Sequence, residues 1–294
     1  MAARGAVIAV RGHEAGHGSA LDGLAADGVT VVPAGRALFR TVTAHGRRGE
    51  ETVVVPMTLG REPGLVADTA RTLRAVPPGA RGTTLLAAPF GTAQHLVGWL
   101  RAAAGRVEES AALLITAPAG DPFEDAELHR VAALVRRYGR RGLVEVAFSG
   151  GDPDPAEGVR RCRLLGARRV ALLPAAFAPP ELPAADGTVP VDLAGPLLSP
   201  PALRRVLAER VSDARRRWRE HGDDGVAAGL TAADDHGHSH THPPGEDHGH
   251  GHAHHHAHPS DDAHGHGPHA PGPPHPHHHH PSAAGADRAI GSIA

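Results

Sequence analysis

Short runs of consecutive apolar residues alternate along the chain with longer stretches in which apolar residues recur every three or four positions. The short runs are rich in Val, Ile and Leu, which is typical of strands buried on both faces of a parallel sheet. Their positions predict strands at residues 6–10, 29–33, 52–56, 83–87, 111–116, 143–148 and 169–174, and one further strand that begins at 189–192.

The longer stretches have the period of amphipathic helices. Several begin with a good capping residue, such as Thr92 or Asp121, or with a proline in the first turn, such as Pro63. They predict helices at residues 36–45, 63–76, 92–107, 121–140, 155–166 and 200–221. Strands that alternate with helices indicate an α/β fold with doubly wound parallel sheets.

The chain contains two similar tracts, each made of a strand, a turn with proline and a helix. The sequences TVVVP at 52–56 and LLAAPFGTAQHLVGWL at 85–100 are similar to RVALLP at 169–174 and VDLAGPLLSPPALRRVL at 191–207. This similarity favours an internal duplication, and the alternative is a chance resemblance between two strand–helix units.

The composition changes sharply after the last predicted helix. Residues 236–280 are mostly His, Gly, Pro, Ala and Asp and include no large apolar side chain, so this stretch cannot bury a core and is expected to be disordered. We therefore predict two similar α/β halves at residues 1–107 and 108–222, followed by a linker and a disordered His-rich tail at 223–294.

The tail holds most of the histidines of the chain, which has 25 in total. Neutral imidazole is a good ligand for Zn²⁺, Ni²⁺, Cu²⁺ and Co²⁺, and the His-X-His spacing lets two rings bind one ion. A purification tag or a solubilising tail is the alternative, but the stretch is long and irregular, with Pro, Asp and Gly throughout. The expected metal ligands of the tail are His236, His238, His240, His242, His248, His250, His252, His254, His255, His256, His258, His264, His266, His269, His275, His277, His278, His279 and His280.

Composition and charge narrow the possible partners. The net charge of −2 argues against a general nucleic-acid binder. The single cysteine, Cys162, excludes a disulfide framework and a thiolate zinc site within one chain.

No apolar run is long enough for a signal peptide or a membrane span, so a cytoplasmic protein without a membrane partner is expected. All 30 basic residues are Arg, which reflects either anion recognition or coding bias.

The first predicted strand ends at Arg11-Gly12 and is followed directly by His13. In open α/β sheets the carboxyl ends of the strands form the edge at which ligands bind. An imidazole at this edge is a candidate metal ligand and proton acceptor, because its pKa lies near neutral pH. The alternative is an ordinary turn histidine, and His17 in the following Gly-rich loop is interpreted as a loop residue.

Five stretches together resemble the class II chelatases, in particular the long, duplicated sirohydrochlorin cobaltochelatases. They are RGH (11–13), VVVPMTLG (53–60), AAPFGTAQHL (87–96), DPFEDAELHRVA (121–132) and RRCRLLGARRVALLP (160–174). No single stretch is specific, and their order along residues 6–217 carries the resemblance. The resemblance implies a metal-handling role for His13.

The family pattern is incomplete in this chain. It implies a second histidine in residues 59–63, where the nearest potential ligand is Glu62. The corresponding strand end in the second half, TAPAG at 116–120, contains no histidine either. The expected catalytic residues are therefore His13, Glu14 and Glu62.

Inserting a divalent ion into a tetrapyrrole removes two pyrrole N–H protons, so the site needs a weak metal ligand, a proton acceptor and a means of holding the macrocycle. A sirohydrochlorin-like substrate carries several carboxylates, which Arg residues at the same edge of the sheet would bind. These candidates are Arg11, Arg36, Arg40 and Arg61.

Three functions follow from these patterns. The first is a chelatase of cobalamin or siroheme biosynthesis that inserts Co²⁺, or alternatively Ni²⁺, Fe²⁺ or Zn²⁺, with the tail as a metal reservoir. The second is a non-catalytic metal-storage or metal-delivery protein on a degenerate chelatase fold. The third, a phosphate- or nucleotide-binding α/β domain, is disfavoured because the chain has neither G-x-G-x-x-G nor a P-loop lysine. Since one chain would contain both halves, a monomer or weak dimer is expected.

Overall fold

The computed structural model describes residues 5–16, 19–139, 142–183 and 189–234. Within them, eight strands form two four-stranded sheets in which every pair of neighbours is parallel. The first sheet has the order β2-β1-β3-β4, and its strands are β1 (Ala6–Arg11), β2 (Val29–Pro33), β3 (Thr52–Met57) and β4 (Thr84–Leu86). The second has the order β6-β5-β7-β8, and its strands are β5 (Ala112–Pro118), β6 (Val144–Ser149), β7 (Val170–Pro174) and β8 (Val191–Leu193).

Helices connect the strands and cover the sheets. They are α1 (Arg36–Arg47), α2 (Pro63–Ala75), α3 (Pro78–Arg81), α4 (Ala93–Ala104), α5 (Pro122–Gly139), α6 (Pro155–Leu164), α7 (Pro200–His221) and α8 (Val226–Leu230), with 3-10 helices at His13–Ala15 and Ser19–Asp27. The α/β class with two similar parallel sheets is confirmed. The sequence prediction lacked α3, α8 and the 3-10 helices, and the tail with its histidines lies outside the described residues.

Local sequence signals explain where several helices begin. Thr92 accepts a hydrogen bond from the His95 amide at the start of α4, and Asp154 accepts one from the Glu157 amide at the start of α6. Helix α7 starts in the same way, with the Ser199 hydroxyl accepting from the Ala202 amide. Each cap satisfies an amide that has no partner within its own helix.

One apolar cluster joins the two sheets. It includes Val55 of β3 and Ile115 of β5, together with Leu100 of α4, Val131 of α5 and Leu207 of α7, all nearly or fully buried. These three helices therefore form a shared inner layer. The carboxyl ends of β1, β3 and β5 meet beside this layer, which brings their loops together.

Each sheet has a separate apolar cluster on its other face. In the first sheet, Ile8 and Val54 pack with residues of α1, α2 and α8. In the second, Leu114 and Leu172 pack with Val159 and Cys162 of α6. Alternate residues of one strand thus serve two different cores, which explains the continuous apolar runs in the sequence. None of the described helices is long and apolar enough to cross a membrane.

The close packing of α6 on the second sheet gives a test of the fold. A Cβ atom at Gly158 would lie 2.9 Å from both the Ala147 Cβ and a Leu114 methyl carbon. We expect Gly158→Ala to lower the free energy of unfolding by about 1–3 kcal/mol in urea denaturation, because the helix must move off the sheet.

Gly98→Ala is the matched control. Gly98 lies on the exposed face of α4, and a Cβ there would have no heavy atom within 4 Å. This variant should gain stability by about 0.5–1 kcal/mol from helix propensity alone. Equal gains in both variants would contradict the packing of α6 described here.

Candidate functional site

The loop after β1 and the loop after β3 meet through Gly12 and Glu62. A Cβ atom at Gly12 would lie 2.1 and 2.3 Å from the two carboxylate oxygens of Glu62. Any larger residue at position 12 would therefore displace this carboxylate. Glycine is required here for the close approach of a neighbouring side chain, while its backbone is in the extended region.

The Glu62 carboxylate orients His13. Its Oε1 lies 2.9 Å from Nδ1 of the His13 ring and also accepts a hydrogen bond of 2.8 Å from the His13 amide. Its Oε2 accepts from the Glu14 amide at 3.3 Å. The ring is thus fixed through Nδ1, while Nε2 is buried and has no hydrogen-bond partner among the described residues. This arrangement leaves Nε2 as the nitrogen that can bind a ligand.

A second carboxylate approaches His13 from the other half of the chain. Oε2 of Glu124, in the first turn of α5, lies 3.7 Å from Nδ1 of His13. Sequence reasoning missed Glu124 as a site residue, although the stretch DPFEDAELHRVA contributed to the family resemblance. The signal that could have found it is the position of Glu124 just after the carboxyl end of a central strand.

These carboxylates change the proton affinity of His13. Burial lowers the pKa of His13, but the hydrogen bond to Glu62 and the charges of Glu62, Glu124 and Glu14 outweigh it, so the net pKa is raised above 6.5. For Glu124, burial acts in the opposite direction and raises the pKa of the carboxyl group, because it disfavours the charged form. A metal ion that binds Nε2 near neutral pH must therefore compete with a proton.

Glu14 faces the protein interior. Its side chain is fully buried, and its Oε2 accepts hydrogen bonds from the Thr58 hydroxyl and, at 2.7 Å, from the Leu59 amide. Burial raises the pKa of Glu14 to about 7, despite the opposing charge of Arg61 and the two hydrogen bonds. Glu14 thus secures the loop after β3, and it has no surface from which to contact a bound substrate directly.

Arg61 does not have the position expected of a substrate-binding residue. Its side chain has no solvent exposure, and it donates hydrogen bonds to the carbonyls of Glu124 (3.2 Å) and Pro118 (3.4 Å) and to Asp125 Oδ1 (3.1 Å). The guanidinium therefore joins the loop after β3 to the loop after β5. The expectation of a substrate contact is corrected for this residue, because its donors are directed into the protein.

The other predicted arginines lie nearer to solvent. Arg11 is half-buried at the end of β1, and Arg36 and Arg40 are exposed on α1, which follows the adjacent strand β2. The structure brings none of them into the His13–Glu62–Glu124 cluster, and their role in substrate binding stays a prediction. His17 lies outside the described residues.

A cavity of about 630 Å³ lies at the carboxyl ends of β3 and β4. Thr58 and Glu62 line one side, Ala228 and Gly229 of α8 line another, and Arg130 also lines it. Much of the remaining lining is apolar, from residues such as Val66, Leu86 and Pro89. His13 does not line this cavity, so Glu62 is the group that links the cavity to the imidazole.

The described residues contain no group of three or more His, Cys, Asp or Glu side chains arranged to hold a metal ion. A metal bound at His13 would therefore need further ligands from elsewhere, such as a substrate or another segment of the chain.

Comparisons with known proteins give a distant likeness to a solved structure. No protein-family model matches the chain, and no curated protein matches it. Among solved structures, the sirohydrochlorin chelatase SirB from Bacillus subtilis subspecies spizizenii, in complex with cobalt, aligns with a TM-score of 0.42 at 14% identity. The alignment covers 74% of this chain and 98% of SirB.

The charge on Glu14 should make folding stability depend on pH. A carboxyl group whose pKa is raised to about 7 by folding, from 4.5, holds a proton that the unfolded chain has lost, so stability falls as pH rises through this range. We expect the free energy of unfolding of Glu14→Gln, relative to the unsubstituted protein, to rise by about 3 kcal/mol between pH 4.5 and pH 8 in urea denaturation.

Glu109→Gln serves as the control, since Glu109 is exposed on a loop. Its difference from the unsubstituted protein should stay within about 0.5 kcal/mol over the same pH range. A Glu14→Gln difference that is equally flat would mean that Glu14 titrates normally in the folded protein.

The raised pKa of His13 can be measured by NMR. We expect the His13 ring to titrate above pH 6.5 and to titrate at a lower pH in Glu62→Gln, because the hydrogen bond and the charge of Glu62, which raise the pKa of His13, are then lost. The His13 signal is assigned by its loss in His13→Gln. Glu127→Gln, on the same helix as Glu124 but paired with Arg130, should leave the titration unchanged. An unshifted titration in Glu62→Gln would show that Glu62 does not control the ring.

Proposed function

We propose that this protein inserts a divalent metal ion into a carboxylate-bearing tetrapyrrole, with the ion as a substrate. One observation carries the proposal. Glu62 fixes the His13 ring through Nδ1 at 2.9 Å, leaves Nε2 free for a metal ion, and at the same time lines a cavity of about 630 Å³. The Glu62 carboxylate therefore contacts a candidate metal ligand, can itself accept a proton, and borders a space for an organic substrate.

The chemistry of metal insertion matches these groups. Two pyrrole N–H protons must leave the macrocycle as the metal–nitrogen bonds form. In its neutral form His13 offers Nε2 to the ion, and the carboxylate at Nδ1 increases the basicity of the ring. Glu62 faces the cavity and can accept a proton there. Glu124, whose pKa is raised by burial, is a second acceptor close to the ring.

The cavity suits a largely apolar ring system with charged substituents. Its walls are mostly apolar, and they include Arg130 and Arg217, which are paired with the carboxylates of Glu127 and Asp223 and would bind a substrate carboxylate only by exchanging these partners. In this proposal Arg11, Arg36 and Arg40, at the carboxyl ends of the neighbouring strands, bind further carboxylates of a sirohydrochlorin-like substrate. Co²⁺ is the first metal to test, followed by Ni²⁺, Fe²⁺ and Zn²⁺, and the His-rich tail supplies the ion as a reservoir.

A metal-storage or metal-delivery protein is the second candidate. It is favoured by the absence of a three-ligand metal group in the described part of the chain and by the many histidines of residues 236–280. In that case the tail holds all the metal, and the core neither binds an ion nor changes a tetrapyrrole. The two candidates differ in what His13 contributes.

The deciding experiment follows sirohydrochlorin metallation by absorbance at saturating Co²⁺. We expect turnover by the full chain and by a chain that ends at Asp234, and a loss of about 100-fold or more in His13→Gln, because the metal ligand is gone while the carboxylates of Glu62 and Glu124 remain. His221→Gln, at the exposed end of α7, is the matched control and should keep full activity.

If no variant exceeds the uncatalysed rate, the chelatase proposal is wrong and metal storage becomes the better explanation. Equilibrium dialysis with Co²⁺ then completes the comparison. A storage protein loses nearly all bound metal in the chain that ends at Asp234, whereas a chelatase retains weak binding that depends on His13.

A further inference from the structure

Residues 223–234, where the composition predicted a linker, dock against the first sheet instead. The Leu86 amide, at the end of the edge strand β4, donates a hydrogen bond of 2.7 Å to the carbonyl of Asp224. Arg81 forms an ion pair with the Asp224 carboxylate, and Arg217 donates to the Leu86 carbonyl at 2.6 Å. Polar contacts on both sides of Leu86 therefore hold this segment, which contains α8, in one place.

Apolar packing fixes the inner face of α8. Val226 is 6% exposed and belongs to the apolar cluster of the first sheet. A Cβ at Gly229 would lie 2.5 Å from a Leu86 methyl carbon and 2.9 Å from the Ala70 Cβ, so glycine is needed for the helix to lie this close. Val226 and Gly229 are three positions apart, as residues on one face of a helix are. The remaining positions of the segment are free to make other contacts.

A second face of the segment borders the cavity. Ala228 and Ala232 both line the cavity, and they are four positions apart. The Ala232 amide donates to the Gly229 carbonyl at 3.3 Å, so the helical turn continues through this residue. We call the surface formed by Ala228 and Ala232 the alanine wall. Ala227 is exposed too, but it does not line the cavity.

The chemistry of the proposed substrate limits what can meet this wall. A sirohydrochlorin-like tetrapyrrole carries its carboxylates around the rim of the ring, whereas the faces of the ring are largely apolar. The charged residues that line the cavity next to the wall, Arg217 and Asp223, are paired with each other at 3.1 Å. A rim carboxylate placed against Ala228 would lose its hydration without gaining a partner. The alanine wall therefore favours a face of the ring over its rim.

We infer that the alanine wall is the surface against which the macrocycle lies with one of its faces. The inference rests on the proposed function and adds the orientation of its substrate. Glu62 lines another side of the same cavity, so a ring that lies on the wall turns its other face toward the carboxylate that holds His13. The metal ion then enters from the side of Glu62, where its two charges replace the two pyrrole protons that leave.

The test places a charge in the wall. Ala228→Asp puts a carboxylate where the ring face is expected, and Ala227→Asp adds the same charge and the same helix propensity one position away. Binding of metal-free sirohydrochlorin by the full chain is followed by absorbance at pH 8 with EDTA, which keeps the histidine-rich stretch free of metal. We expect the Kd to rise about tenfold or more in Ala228→Asp, because the bound ring would desolvate the new carboxylate. In Ala227→Asp the rise should stay below about threefold.

The outcomes separate this inference from the proposed function. A loss of binding that is confined to Ala228→Asp supports the alanine wall. If the unsubstituted chain binds sirohydrochlorin and the two variants weaken it equally, the wall does not contact the ring, and the chelatase proposal stands. If the unsubstituted chain binds no sirohydrochlorin, the proposed function fails, and the inference fails with it.

Urea denaturation shows whether a variant has lost its fold. Both variants change exposed positions, so their denaturation midpoints should be equal. If Ala228→Asp is the less stable of the two, Ala232→Asp places the charge in the same wall beyond the end of α8. Binding by Ala232→Asp as tight as that of Ala227→Asp would then overturn the inference.

Discussion

The carboxylate of Glu62 occupies the space beside Gly12 that a larger side chain at this position would fill. The candidate site depends on this contact between Gly12 and Glu62. It joins the ends of β1 and β3, two neighbouring strands of the first sheet. The carboxylate is nearly buried, so it needs the two amide donors and the His13 ring to offset its desolvation. The same group lines the cavity, which makes the orientation of the imidazole and the chemistry of the cavity inseparable.

Arg61 connects this contact to the second sheet. A guanidinium without solvent exposure is costly unless its donors are bonded, and the carbonyls of Pro118 and Glu124 and the carboxylate of Asp125 provide most of those bonds. Because Glu124 is held through its own carbonyl, its side chain is kept near His13. Arg61, which links the two sheets, is thus the direct sequence neighbour of Glu62, which orients the His13 imidazole.

The parts of this arrangement that the sequence could predict are the ones set by local patterns. Unbroken apolar runs predicted the buried strands, and His13 was identified because it follows one of them directly. The inward direction of the Arg61 side chain and the place of Glu124 near His13 depend on the contact between Arg61 and Glu124, which are 63 positions apart in the sequence. No hydrophobic periodicity encodes a contact of this kind. Helix α8 was missed because Gly and Ala are typical of linkers, and only the packing against Leu86 and Ala70 shows why small residues are needed there.

The site also combines two opposing pH effects. The pKa of His13 and the pKa of Glu14 are both raised in the folded protein, so each group contributes stability in its protonated form that is lost as pH rises through its folded pKa. Metal binding needs the His13 ring without its proton, and this form becomes available over the same rise in pH. In the proposed function, the cluster is therefore most stable in the form that cannot bind metal and less stable in the form that can. In the proposed function, a metal ion bound to Nε2 would return positive charge to the ring beside Glu62 and Glu124 after the ring has lost its proton, which gives the cluster a physical reason to accept a cation.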